Sequence, residues 1–277
     1  MLAAIADHRA LFKKGDMMKE LDVEQCEIAN PEGCYHLTRA VHAPSIANIG
    51  LGADIGVRSR DGAGNERTSK VFFAKSLEGA LIFLNRNFNV FYSAAKRNDF
   101  EFLRGPLRDD SPELYEQIFN AKVHDNMTQE ELTDVALLLG MLYLQRGVYY
   151  KLNLKQCSKI DFEKMSEQEK AQIDYFPDDI NEERPDERPG INNMHTRSGR
   201  GIRPDQMILM TNNGKTSALG VAMKMVEKYK ELHPGKPLPV LVQRSGYKDR
   251  SLLEKLYERT HGEIESKKET DFDDFDY

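Results

Sequence analysis

Tryptophan is missing from this chain, and cysteine nearly so, with three in 277 residues. Cys26, Cys34 and Cys157 are an odd, scattered set. That excludes a disulfide scaffold and fits a reducing compartment. Cys34 and His36 would share a strand face, but two ligands do not make a zinc site, so no metal is expected. No apolar run approaches the roughly 18 residues needed to cross a bilayer, so no membrane partner is expected. The short apolar stretch Leu2 to Ala6 gives way to Asp7, His8 and Arg9, too soon for a signal-peptide core. The expected location is therefore the cytoplasm, or that of an exported effector without a classical signal.

A global basic footprint for nucleic acid is missing as well. There are 39 Lys+Arg against 45 Asp+Glu, a net charge of −6. The acid is concentrated. Residues 161–190 hold eleven acids against four bases, and the last seven residues, DFDDFDY, hold four more acids. The rest of the chain therefore carries a net +5. The basic part is where the motifs lie.

What is present reads as alternating helices and strands of the α+β class. Four segments are expected. Residues 1–30 form an N-terminal helical extension, with apolar positions Leu2, Ile5, Leu11, Met17, Met18 and Leu21 on one face. Residues 31–212 form the main domain, with the acidic insertion 161–190 inside it, helical after the Ser166/Glu169 capping box and otherwise irregular. Residues 213–265 form a C-terminal α/β appendage, and 266–277 a disordered acidic tail.

Within the main domain, residues 34–39 (CYHLTR) read as a strand. Pro44 opens a short helix, with Ile46 and Ile49 inward and Gly50 ending it. Residues 52–69 are a Gly-rich loop, and Val71 to Ala74 a buried strand. Ser76 caps a helix running towards Lys96, with Leu77, Leu81, Leu84, Phe88 and Phe91 on its apolar face. Ser111–Pro112 starts another helix. Thr128 with Glu131 caps a helix through Leu144, and Val148 to Leu154 is a strand. Strands follow at Met194 to Thr196, Gln206 to Met210 and Pro239 to Gln243, with helices near 216–231 and 250–260.

Two phosphate-binding look-alikes fail on spacing. Gly214–Lys215–Thr216 ends like a P-loop, but Leu209 stands where the first Gly is needed. Gly62–Ala63–Gly64 begins a dinucleotide fingerprint, but Arg67 takes the third Gly position, and a strand follows rather than a helix.

The stretch YHLTRAVHAPSIANIGL, residues 35–51, and the later SKVFFAKSLEGAL carry the functional reading. Tyr35–His36–Leu37–Thr38, then Ser45–Ile46 with Gly50–Leu51, then Val71–Phe72–Phe73–Ala74 followed by Ser76, resemble the first two motifs of the ADP-ribosyltransferase superfamily. The likeness is to poly(ADP-ribose) polymerase catalytic domains and to the RNA 2′-phosphotransferase and DNA-modifying toxin branches. It spans about forty residues, in matching order and spacing. The resemblance implies a split β-sheet core with flanking helices, and NAD as co-substrate. It implies that His36 bonds the ribose, that the Leu37 backbone holds the nicotinamide amide, and that Thr38 matches the family's Ser/Thr. Phe72 stands where the family has Tyr, so ring stacking is kept and the hydroxyl lost.

Chemistry points the same way. Cleaving a ribose–nicotinamide bond passes through an oxocarbenium-like state. The site needs a hydroxyl partner, a flat apolar clamp and cations for a pyrophosphate. His36 can bond a hydroxyl. Arg58, with Arg60 and Arg67, sits in the Gly-rich loop and can meet phosphates; Ser76 completes the set of binding residues. The third family motif holds a Glu on a later strand. Here the corresponding stretch is Asn193–Met194–His195–Thr196–Arg197, with no Glu. His195 or Thr196 takes that place, and His195 can serve as acid or base near neutral pH. Arg197, Arg200 and Arg203 follow and can hold a pyrophosphate or an RNA phosphate.

The missing Glu argues against polymer formation. The expected activity is transfer of a single ADP-ribose from NAD to a macromolecular acceptor, protein or nucleic acid. Two other readings stay open: a non-catalytic interaction module on the same fold, and an RNA 2′-phosphotransferase-like enzyme.

Overall fold

The computed structural model describes residues 18–52, 71–97, 127–154, 164, 166–170, 172, 175–177, 193–196, 201–242 and 248–260. The chain groups into two compact units. One comprises 1–77, 144–183 and 192–224, the other 78–143, 184–191 and 225–277. This grouping cuts across the expected division at 213.

The first unit is built on one seven-stranded sheet. Its strands are β1 (Lys19–Asp22), β2 (Cys34–Arg39), β3 (Phe72–Ala74), β4 (Gly147–Leu152), β5 (Tyr175–Pro177), β6 (Asn193–Thr196) and β7 (Met207–Thr211). They lie in the order β1-β7-β4-β2-β3-β6-β5. Only the β1–β7 pair is parallel; every other pair is antiparallel. Helices α1 (Val23–Ala29) and α2 (Ala43–Ile49) belong to this unit, as does α5 (Glu167–Lys170). The mixture is α+β.

Strand alternation sorts the sheet into two faces. Cys34, Val148, Tyr150, Leu152, Phe73, Met194 and Met207 lie in one core, together with Ile46 of α2 and with Leu51 and Ile202. Tyr35, Leu37 and Arg39 alternate to the other face, with their rung partners Lys151, Tyr149 and Gly147.

The second unit contains most of α3 (Leu77–Arg97) and α4 (Gln129–Gln145), the later part of α6 (Ala218–Leu232) and a helix over 252–260. Leu81, Leu84, Phe88 and Phe91 of α3 are all buried, at the helical spacing the sequence showed. Phe91 meets Tyr143 edge-on, with ring centroids 5.8 Å apart. Thr128 and Glu131 form the expected reciprocal cap of α4, with Thr128 N–H donating to Glu131 Oε2 at 2.7 Å and Glu131 N–H to Thr128 Oγ1 at 3.2 Å.

Several expectations are corrected. Residues 19–22, expected in a helical extension, form the edge strand β1. Its register with β7 (Leu21 opposite Met210) makes this segment part of the sheet. Strand β5 lies inside the acidic stretch that read as irregular, where Tyr175 and Phe176 supply β propensity among the acids. Pro239 to Gln243 is no sheet strand: among its described residues only the bridge of Val242 to Lys248 forms, and Pro239 has no N–H to donate. Ile49 is 45% exposed rather than inward, because α2 ends at that residue. Residues 1–17, the loop 53–70, the helix expected from Ser111 and the tail lie outside the described residues.

Candidate functional site

His36 stands where β2 and β3 part. The ladder between them has a single rung among the described residues, Tyr35 opposite Ala74. One residue on, the side chain takes over from the main chain: His36 Nδ1 lies 2.8 Å from the Phe72 carbonyl oxygen. A carbonyl only accepts, so Nδ1 carries the proton and donates. Burial pulls the imidazole pKa below its ordinary value, and the bond to the Phe72 carbonyl offsets part of this. The ring is therefore neutral at pH 7, and Nε2 presents a lone pair rather than a proton. That is the tautomer that accepts a bond from a hydroxyl.

The sequence singled out several neighbours. Thr38 shares the face of His36 and lies opposite Val148. Leu37 lies opposite Tyr149. The rung at Ala74 places Phe72 on the face of Tyr35 and Leu37, and Phe73 on the face of His36. Leu37 and Phe72, both half-buried, thus share one face. His36 meets Phe72 through the main chain rather than ring to ring. Phe73 is core. Ser76 immediately precedes α3, the position of a cap.

The third motif lies on the next strand along. His195 pairs in register with Phe72, so β2, β3 and β6 carry His36, Phe72 and His195 on three adjacent strands, with the Phe72–His195 rung on the sheet face opposite that of His36. Thr196 is a different case. It is 0% exposed, its Oγ1 accepts the Val71 N–H at 3.1 Å, and its own N–H donates to the Val71 carbonyl at 3.0 Å. This threonine closes β6 onto β3. Its burial keeps it from a substrate.

Gly50 and Leu51 fix the floor. Leu51 and Ile202 exchange main-chain bonds, N to O at 2.9 Å and 2.8 Å. Gly50 has φ +93°, and a Cβ there would collide with the Ile202 carbonyl oxygen. The Gly-Leu pair therefore holds the segment that follows β6 against the end of α2. Of the arginines, Arg58, Arg60, Arg67, Arg197 and Arg200 lie outside the described residues. Arg203 is exposed and bound to Asp205, with Nε to Oδ1 at 3.0 Å and Nη2 to Oδ2 at 3.2 Å. Among the described residues no group of three His, Cys, Asp or Glu is placed to hold a metal, and no helix is long and apolar enough to cross a membrane.

Sequence reasoning missed a buried polar cluster on the face opposite His36. Lys151 is 0% exposed. Its Nζ donates to Glu27 Oε1 at 2.8 Å and to Tyr35 Oη at 2.6 Å, while Tyr35 Oη donates to Glu27 Oε1 at 2.6 Å. Burial lowers the Lys151 pKa, against the pull of Glu27, and raises that of Tyr35. The cluster ties α1 to the sheet centre. The signal was there: Lys151 interrupts an otherwise apolar run, Val148 to Leu152. Nearby, Asp22 accepts bonds from Thr211 Oγ1 and from the Gly214 N–H, and both hold its carboxyl below the usual range. The Asn212–Lys215 main-chain pair closes the Asn213–Gly214 turn, so Gly214–Lys215 lies at a hairpin tip.

In comparison with known proteins, no family model, no curated protein and no solved structure matches the chain.

Proposed function

We propose that the sheet unit binds NAD in the manner of an ADP-ribosyltransferase and transfers one ADP-ribose to a macromolecular acceptor, protein or nucleic acid. The observation that carries this is the neutral His36 at the parting of β2 and β3, with Nδ1 locked on the Phe72 carbonyl and Nε2 left as an acceptor. In this reading Nε2 accepts a ribose hydroxyl. The Leu37 main chain holds the nicotinamide amide, and the half-buried Phe72 ring, on the same face as Leu37, lies against the nicotinamide. His195, in register with Phe72, serves the reacting side. The fold is accordingly read as an ADP-ribosyltransferase-like split sheet. The labile bond belongs to NAD; the chain holds its leaving group and its ribose.

A second reading is favoured by β6. The described strand carries no carboxylate, and the Thr196 hydroxyl is tied to Val71. A non-catalytic NAD-binding module would look the same. Incubation of the full chain with NAD labelled in its adenylate and a cell lysate separates the two. Label fixed to macromolecules by the wild type, and lost in His195→Ala, supports transfer. NAD binding without any fixed label supports the module and removes the transferase assignment.

A further inference from the structure

Arg146 joins α4 to β4 and buries part of its guanidinium without an acceptor. Its Nη1 is closed off from solvent, and among the described residues that atom has no hydrogen-bond partner. The residue as a whole is only half-buried, so a ligand has a way in. A guanidinium stays charged at any pH the fold survives, and it only donates. Leaving such a donor enclosed and unpaired is costly, most of all when it carries a full charge. An enclosed polar group without a partner in the chain is a place for a water or an ion, and a positive charge selects an anion.

Pairing fixes where Arg146 sits on the sheet. The β2–β4 ladder runs from Cys34–Leu152 to Arg39–Gly147. It continues one step past the strands, where the Ala40 N–H donates to the Arg146 carbonyl at 2.7 Å. Alternation then puts Ala40 and Arg146 on the face of Thr38–Val148 and His36–Tyr150. Two observations agree. Ala40 packs against the core of that face. Gly147, one residue on, takes the opposite face, where a Cβ would meet Leu37 Cδ1 at 2.9 Å and Ala218 Cβ at 3.1 Å. The flanking residues bring no countercharge: Ala40 and Ala43 are aliphatic, and residues 142–145, the end of α4, hold no acid. Arg146 and His36 thus lie four rungs apart along one face, about 13 Å at the rise of a strand.

We infer that Arg146 anchors an oxyanion site on the His36 face of the sheet, for a phosphate or diphosphate group brought by a ligand. The planar guanidinium fork matches two oxygens of a phosphate. His36 Nε2 accepts a hydroxyl, so a ligand reaching both residues carries a hydroxyl at one end and an oxyanion at the other, as a nucleotide does. The choice of phosphate over carboxylate rests on that reading of His36; the oxyanion site itself does not.

Thermal unfolding of the full-length chain with inorganic pyrophosphate tests this, against potassium acetate at equal ionic strength. Wild type should gain about 3 °C or more in Tm once pyrophosphate exceeds its Kd about tenfold. Arg146→Met should gain nothing. In acetate that variant should unfold no lower than wild type, since it loses an unpaired donor and keeps an apolar stem. Arg146→Lys, which keeps the charge but not the fork, should keep part of the gain. No gain in wild type over acetate, or an equal gain in Arg146→Met, overturns the site. So does an Arg146→Met chain that unfolds well below wild type in acetate, because the guanidinium is then held within the fold. Saturating NAD separates the sources of the phosphate. A pyrophosphate gain abolished by NAD supports the site as a seat for the dinucleotide's own diphosphate, and a gain that persists supports it as a seat for a separate phosphate. A wild type that binds no NAD removes the NAD reading and leaves the pyrophosphate result standing.

Discussion

Replacing Glu27 by Gln puts the buried cluster on trial. Glu27 Oε1 accepts both the Lys151 ammonium at 2.8 Å and the Tyr35 hydroxyl at 2.6 Å. Lys151 is wholly enclosed and the Glu27 side chain is 19% exposed. The amide keeps the shape and removes the countercharge, so an ammonium stays buried against a phenol. Breaking such a pair by removing one partner costs about 3–5 kcal/mol, and the partial exposure of Glu27 puts the expected loss near the lower figure. In a domain whose total stability is about 5–15 kcal/mol, that is a large share. Urea unfolding at pH 7 reads it as a lower midpoint with unchanged slope. The loss should shrink as pH rises. Without Glu27 the folded Lys151 pKa falls further, while the unfolded lysine keeps its proton up to about pH 10.4. The unfolded state then binds more protons in that window, so the variant gains stability relative to wild type on the way up. Replacing both groups, Glu27→Leu with Lys151→Met, removes charge and countercharge together and is expected to cost less than Glu27→Gln alone. A loss under about 1 kcal/mol for Glu27→Gln, or a double variant worse than the single, refutes the reasoning.

Two further outcomes follow from single residues. Gly50→Ala meets both a positive φ and the Ile202 carbonyl, so it should cost about 2 kcal/mol or more in thermal or urea unfolding, with Gly214→Ala, which meets no neighbouring atom, costing less. Cys26, whose thiol burial pushes up to about 12 from an ordinary 9.0, keeps its proton in the fold while the unfolded thiol loses it. Stability should therefore fall as pH rises above 9, by up to about 1.4 kcal/mol per unit from this group. Cys26→Ala should flatten that slope, and an unchanged slope shows the thiol is not its source.

Much of the sheet was legible because its strands sit beside turn signals. Gly33 before Cys34 and Gly147 before Val148 bracket β2 and β4 closely. The apolar spacing of Leu81, Leu84, Phe88 and Phe91 placed α3, and the Thr128/Glu131 box placed α4. Periodicity also hid what mattered most in the second unit. Asn85 and Asn89 sit among the buried positions of α3, and a helical wheel says nothing of the Arg250 main chain they serve. Edge strands were missed for a related reason: β1 and β5 are three or four residues long and are fixed by their neighbours Met210 and Met194 rather than by their own propensity. At the candidate site, sequence order brought out His36, Phe72 and His195. It could not show that Thr196 is buried, because that follows from tertiary packing against Val71.

The neutral His36 at the strand split is the centre of the functional reading, and calorimetric titration of NAD into wild type and His36→Ala tests it most directly. The wild type should bind NAD, with affinity level from pH 8 through His36's ordinary pKa of about 6.5, since the folded group ionises lower. His36→Ala, still folded by circular dichroism, should lose that binding. Equal NAD binding by the folded variant, or no binding by the wild type, contradicts the account.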